Sequence, residues 1–139
     1  GLKIGSTTGY TDAMMDIVTK EAAKAGHEPD CWFSPDSTGH AGRPYPYMIF
    51  KNMEALHITS VDKVMKVGDT ISDIREGKNA GVFTAGIIEG SSEMGLTKAE
   101  YEALTPEEKE AKVQAVTKRY MDAGADAVVQ DIRGVLELI

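Results

Sequence analysis

Cysteine occurs once in these 139 residues, as Cys31, so no internal disulfide can staple the fold. A lone thiol suits a reducing compartment such as the cytoplasm, and Cys31 reads as a small buried hydrophobe rather than a nucleophile. No apolar run approaches the ~20 residues that cross a bilayer, and no leader pattern is read at the start, so a membrane is not an expected partner. Lys and Arg number 15 against 22 Asp and Glu, and the basic residues form no cluster. With a net charge of -7, the chain offers little to a nucleic-acid backbone. The three histidines, His27, His40 and His57, lack metal-ligand spacing. No internal repeat, linker or second domain is visible. An initiator methionine is also missing, and Gly1 to Gly5 enter a strand pattern at once, as a domain cut from a longer chain would; a processed or engineered start would look the same.

What is present reads as one globular domain. Apolar residues make up 42% and charged residues 27%, and a chain of this length buries roughly two-thirds of its unfolded surface. Short β-like runs alternate with amphipathic stretches, which implies an α/β fold with a mainly parallel sheet. The pattern predicts a strand over Leu2 to Thr7, then a helix capped by Thr11 and running to Ala25, with Gly26 ending it. That helix presents Met14, Met15, Ile17, Val18, Ala22 and Ala25 on one face. Cys31 to Phe33 reads as a strand, Ser34 to Gly42 as a polar loop, and the stretch from Pro44 and Pro46 to Leu56 as a helix. A strand over Val64 to Gly68, a helix over Ser72 to Asn79 and a strand over Val82 to Ile88 follow. Glu89 to Gly95 is a Gly/Ser loop. Capping boxes at Thr97 with Glu100 and at Thr105 with Glu108 open two more helices, the second long, charged and solvated. Ala127 to Val129 and Ile132 to Ile139 close the chain as a strand and a helix.

Three motifs carry chemistry. Gly68-Asp69-Thr70-Ile71-Ser72-Asp73 puts two carboxylates at the carboxyl end of a strand, where open α/β sheets bind ligands. Two such groups ~4 Å apart repel by about 4 kcal/mol at a surface-like dielectric, and a hard cation such as Mg²⁺ reverses that sign. Asp73 equally suits the first turn of a helix. Ser6-Thr7-Thr8-Gly9-Tyr10, again past a strand, can give hydroxyl and backbone N–H groups to a phosphoryl oxygen, or simply cap a helix. Arg43, in Ala41-Gly42-Arg43-Pro44-Tyr45-Pro46, has a planar fork that matches phosphate oxygens and a backbone stiffened by two prolines, although an arginine in such a loop is often only solvated.

The order of these motifs resembles the second, third and fourth motifs of the haloacid dehalogenase superfamily. Their wording, together with Gly90-Ser91-Ser92-Glu93-Met94-Gly95-Leu96-Thr97, is similar to the phosphonoacetaldehyde hydrolase family, from Gly1 to about Thr97; the rest matches in pattern only. The resemblance implies a three-layer, doubly wound, Rossmann-like core over residues 1–139, lacking its first central strand and its cap. It implies that Thr8 and Gly9 hold phosphoryl oxygens, that Arg43 neutralises them and that Tyr10 borders the carbon end of a small phosphonate. Asp69 would ligate Mg²⁺, with Asp73 a ligand or an acceptor for its water. The family's attacking Asp and its imine-forming Lys have no counterpart here and are expected before Gly1. The implied reaction is hydrolysis of the P–C bond of phosphonoacetaldehyde. The alternatives are another phosphatase or phosphomutase of the superfamily or, for the chain alone, an inactive Mg²⁺- and phosphate-binding module. A homodimer remains open for a full-length protein. Finally, the strand ending at Thr7 and the strand ending at Gly68 should flank an empty slot, with Leu2, Ile4, Val64 and Val67 suited to burial under helices.

Overall fold

The computed structural model describes residues Gly1–Ile139. Its strands are β1 (Gly5–Thr7), β2 (Cys31–Phe33), β3 (Met65–Gly68), β4 (Phe83–Ile87) and β5 (Ala127–Val129), and its helices are α1 (Asp12–Lys24), α2 (Tyr47–Ala55), α3 (Ile71–Ala80), α4 (Lys98–Glu102) and α5 (Pro106–Asp122). All pairing is parallel, with β1 on β2, and β3 on β4 on β5. No ladder joins β1 to β3, so the strands form two sheets rather than one.

Local chemistry sets the boundaries. Thr11 caps α1, and the expected boxes at Thr97 and Thr105 form with both reciprocal bonds. Gly81, at φ 75°, ends α3 in the left-handed conformation that glycine adopts without strain. The loop after β2 winds into a 3₁₀ turn over Pro35–Thr38, capped by Ser34. It is tied to α1, because the Asp12 N–H donates to Asp36 Oδ2 at 2.8 Å and Ser34 Oγ donates to Asp12 Oδ1 at 2.5 Å.

The core is off-centre. Ile74, Ile88, Met94, Val116, Tyr120 and Ala125 pack α3, the loop after β4 and α5 together, and Ile49, Ala80 and Val82 join α2 to α3. Three expectations need correction here. The first strand is shorter than Leu2 to Thr7, and within these 139 residues Leu2 and Ile4 are exposed. On α1 only Met15 is buried, while Met14, Ile17 and Val18 stay in solvent because nothing in these residues packs over them. The closing segment is a 3₁₀ stretch over Ile132–Glu137, with Ile132 and Leu136 outward. No helix is long and apolar enough to cross a membrane.

Candidate active site

The site lies past the carboxyl ends of β1 and β3. From β3 the chain leaves through Gly68 into Asp69, and Thr70 then opens α3 as its N-cap. Thr70 Oγ1 accepts from the Asp73 N–H at 3.1 Å, while Asp73 Oδ2 accepts from the Thr70 N–H at 3.2 Å, from its hydroxyl at 2.7 Å and from the Asp69 N–H at 3.3 Å. A methyl group at residue 68 would overlap the Asp73 side chain, so glycine lets the first turn of α3 close onto the strand. Asp73 therefore does what its place in a helix's first turn suggests.

It does more through its other oxygen. Asp73 Oδ1 pairs with Arg43 Nη1 at 2.7 Å and with Lys66 Nζ at 3.0 Å, and the carboxylate side chain is only 5% exposed. Burial alone would raise its pKa. The Lys66 charge, the hydrogen bonds from Arg43 and Thr70 and the Arg43 charge outweigh that and hold the carboxyl at about 2. Asp73 is an anion at any ordinary pH.

Arg43 spans to β1. Its Nη1 is held by Asp73, and its Nη2 would stand 3.0 Å from a Cβ built on Gly9, so the fork lies beside the bare backbone after β1. The Arg43–Pro44 bond is cis. Thr8 Oγ1 accepts from the Tyr10 N–H at 3.1 Å, which leaves the hydroxyl proton of Thr8 free to donate elsewhere. Tyr10 is half exposed at the rim.

Asp69 is pinned from the side of β4. The Gly/Ser loop folds back so that the N–H and hydroxyl of Ser92 both donate to Asp69 Oδ2, at 3.0 and 2.9 Å. Glu93 anchors that loop, accepting from the Ile71 N–H at 3.1 Å and pairing with Arg119 at 3.4 Å. The side-chain bonds to Asp69 fall on Oδ2, and Oδ1 has no partner. The structure thus brings Gly9, Arg43, Asp73 and Asp69 into one connected run, with Thr8 and Tyr10 on its β1 side.

Reading the motifs missed several participants. Lys66, Glu76, Thr70 and Ser92 all take part in or beside this run. The signals were present: Lys66 interrupts an otherwise apolar strand, and Thr70 with Asp73 has the same Thr-x-x-acid spacing as the two boxes that were read. Asp73 and Glu76, three apart, share a helix face with Gly77, and all three are buried.

No protein-family model matches the chain. It is 49% identical over 139 residues to the phosphonoacetaldehyde hydrolase of Lysinibacillus sphaericus, an alignment that takes in all of this chain and 52% of that protein. It is 48% identical over 139 residues to a bifunctional phosphonoacetaldehyde hydrolase/aminoethylphosphonate transaminase of Clostridioides difficile, covering 22% of that longer chain. Among solved structures, a phosphonoacetaldehyde hydrolase-like protein of Oleispira antarctica superposes with a TM-score of 0.91 at 31% identity, over 99% of this chain and 50% of that one. A haloacid dehalogenase-like protein of unknown function from Agrobacterium tumefaciens, at 19% identity and a TM-score of 0.64, shares the fold. The architecture is that of a haloacid dehalogenase-like core, and the chain spans about half the length of the hydrolase from Lysinibacillus sphaericus.

Proposed function

We propose that this chain, which matches about half the length of the Lysinibacillus sphaericus phosphonoacetaldehyde hydrolase, forms the phosphate- and Mg²⁺-holding part of such an enzyme. The reaction would cleave the P–C bond of phosphonoacetaldehyde to give acetaldehyde and phosphate. The observation that carries this reading is the run from Gly9 through Arg43 and Asp73 to Asp69, which joins an anion clamp to a free carboxylate oxygen at the edge of the sheet.

Each residue's part follows from its surroundings. Arg43, fixed by Asp73 through Nη1, keeps Nη2 and the rest of its fork for phosphoryl oxygens beside Gly9, where the lack of a side chain leaves room for them. Thr8 donates its free hydroxyl proton to the same group. Tyr10 borders the carbon end of the substrate. Asp69 offers one carboxylate oxygen, Oδ1, to a hard cation while Ser92 holds Oδ2, and no group of three metal-ligating side chains meets here. Mg²⁺, when bound, would neutralise charge on the phosphoryl group and orient it. Asp73, with its oxygens committed to two cations and three donors, serves by holding Arg43 and the first turn of α3 rather than by binding the metal directly. The attacking carboxylate and the imine-forming lysine belong, on this reading, to the part of the relatives that the chain does not span. A strand that would bring the carboxylate in has edges to pair with, since β1 and β3 each have one edge without a partner strand.

The test is a hybrid enzyme: the Lysinibacillus sphaericus hydrolase with its matching segment replaced by this chain. It should release acetaldehyde and phosphate from phosphonoacetaldehyde in a Mg²⁺-dependent way, whereas the 139-residue chain alone should release none. A correctly folded hybrid that turns over phosphate monoesters but not the phosphonate would overturn the assignment.

A further inference from the structure

Below the phosphoryl site lies a buried group of charges that the clamp and the cation do not use directly. Lys66 projects from the middle of β3, and its Nζ lies 2.7 Å from Thr7 Oγ1, 2.8 Å from Glu76 Oε2 and 3.0 Å from Asp73 Oδ1. Thr7 Oγ1 in turn donates to Glu76 Oε2 at 3.1 Å. The Lys66 side chain is 10% exposed, and Glu76 is wholly buried with its Oε1 lacking any partner. β1 and β3 share no backbone ladder, so this ammonium is a direct polar tie between the two sheets.

Stability alone gives no reason for the arrangement. Buried ion pairs are often matched or surpassed by apolar residues of similar volume, and a carboxylate oxygen left without a donor is unfavourable where it stands. What the ammonium does accomplish is geometric. Thr7 immediately precedes Thr8 and Gly9, and Asp73 holds Arg43. One charged group therefore reaches both arms of the phosphoryl clamp, one through Thr7 at the end of β1 and the other through Asp73 in the first turn of α3.

We infer that Lys66 is a positioning residue for the phosphoryl site: by holding Thr7 and Asp73 together it sets the separation of the Thr8–Gly9 turn from Arg43, while Glu76 keeps the ammonium in place. This rests on the functional reading above. It adds a residue that touches neither substrate nor cation but fixes the distance between groups that do.

The test uses the hybrid enzyme with Lys66→Met, Lys66→Arg and the double variant Lys66→Met/Glu76→Leu, each followed by melting temperature, kcat and KM for phosphonoacetaldehyde, and inhibition by inorganic phosphate. Lys66→Met leaves Glu76 an unpaired buried charge and should lower the melting temperature. The double variant removes both charges and should recover it. Its kcat/KM should nevertheless stay about 100-fold below wild type, the scale of a displacement near 1 Å at a reacting group, and inorganic phosphate should inhibit it more weakly. Lys66→Arg keeps a cation and should restore part of the rate. If the double variant melts like wild type and turns over within about twofold of it, Lys66 is only structural and the inference fails. Should the double variant not fold, Lys66→Arg decides: wild-type kcat, KM and phosphate inhibition in that variant would overturn the positioning role. If the unsubstituted hybrid releases no acetaldehyde, it is the functional reading that falls. Calorimetric binding of inorganic phosphate to hybrid and variants still judges Lys66 in that case, with equal affinities counting against it.

Discussion

Replacing Asp73 by Asn removes one negative charge from between two cations while keeping nearly the same shape. The carboxyl is held at about 2 against an ordinary 3.8, so its ionised form is favoured in the fold by nearly two pH units. At ~1.36 kcal/mol per unit, that is about 2.5 kcal/mol of stability at neutral pH. Breaking a buried pair costs about 3–5 kcal/mol when the remaining charge has no other partner. Here Lys66 keeps Glu76, and Arg43 is a quarter exposed to water, so the lower figure is the appropriate one. A group whose folded pKa is depressed contributes stability above its unfolded pKa and loses it as pH falls toward the folded value. The difference between wild type and Asp73→Asn, from urea unfolding of the hybrid, should therefore be about 2.5 kcal/mol at pH 7 and shrink to roughly half of that near pH 3. A difference below ~0.5 kcal/mol, or one independent of pH across that window, would refute the claim that Asp73 is a buried anion organising Arg43 and Lys66.

Three other substitutions probe the same site. Arg43→Lys keeps the charge but cannot hold Asp73 and a phosphoryl oxygen with one planar fork, so kcat/KM should fall at least tenfold while the melting temperature changes little. Asp69→Ala removes the carboxylate oxygen offered to the cation, and Mg²⁺-dependent release of acetaldehyde should vanish while circular dichroism is unchanged. Gly68→Ala drives a methyl into Asp73 and should cost about 1–3 kcal/mol in urea unfolding, with activity falling alongside stability.

How far the sequence led depends on the kind of signal. Several helix termini were well marked: Thr11, Thr97 and Thr105 cap helices where a hydroxyl stands before an amphipathic run, and Gly26 follows one where a positive φ is needed. The motif residues after β1 and β3 stood out by their order along the chain, because a hydroxyl or an acid before a helix is by itself an ordinary cap. The buried side of the site was not. Lys66 and Glu76 become a pair only when β3 and α3 pack, and Thr7 joins them only when a second sheet comes alongside; no local spacing records that meeting. The outward apolar residues of α1 were misplaced for a related reason. Periodicity reports that Met14, Ile17 and Val18 share a face, but not whether anything in the chain lies against it.

The most direct test of the central claim is a crystal structure of the hybrid enzyme with Mg²⁺ and inorganic phosphate. The account predicts the cation on Asp69 Oδ1, and phosphate oxygens within hydrogen-bond reach of the Thr8 hydroxyl and the Arg43 fork, with Asp73 still paired to Arg43 and Lys66. Phosphate bound away from Arg43, or the cation bound without Asp69, would contradict it.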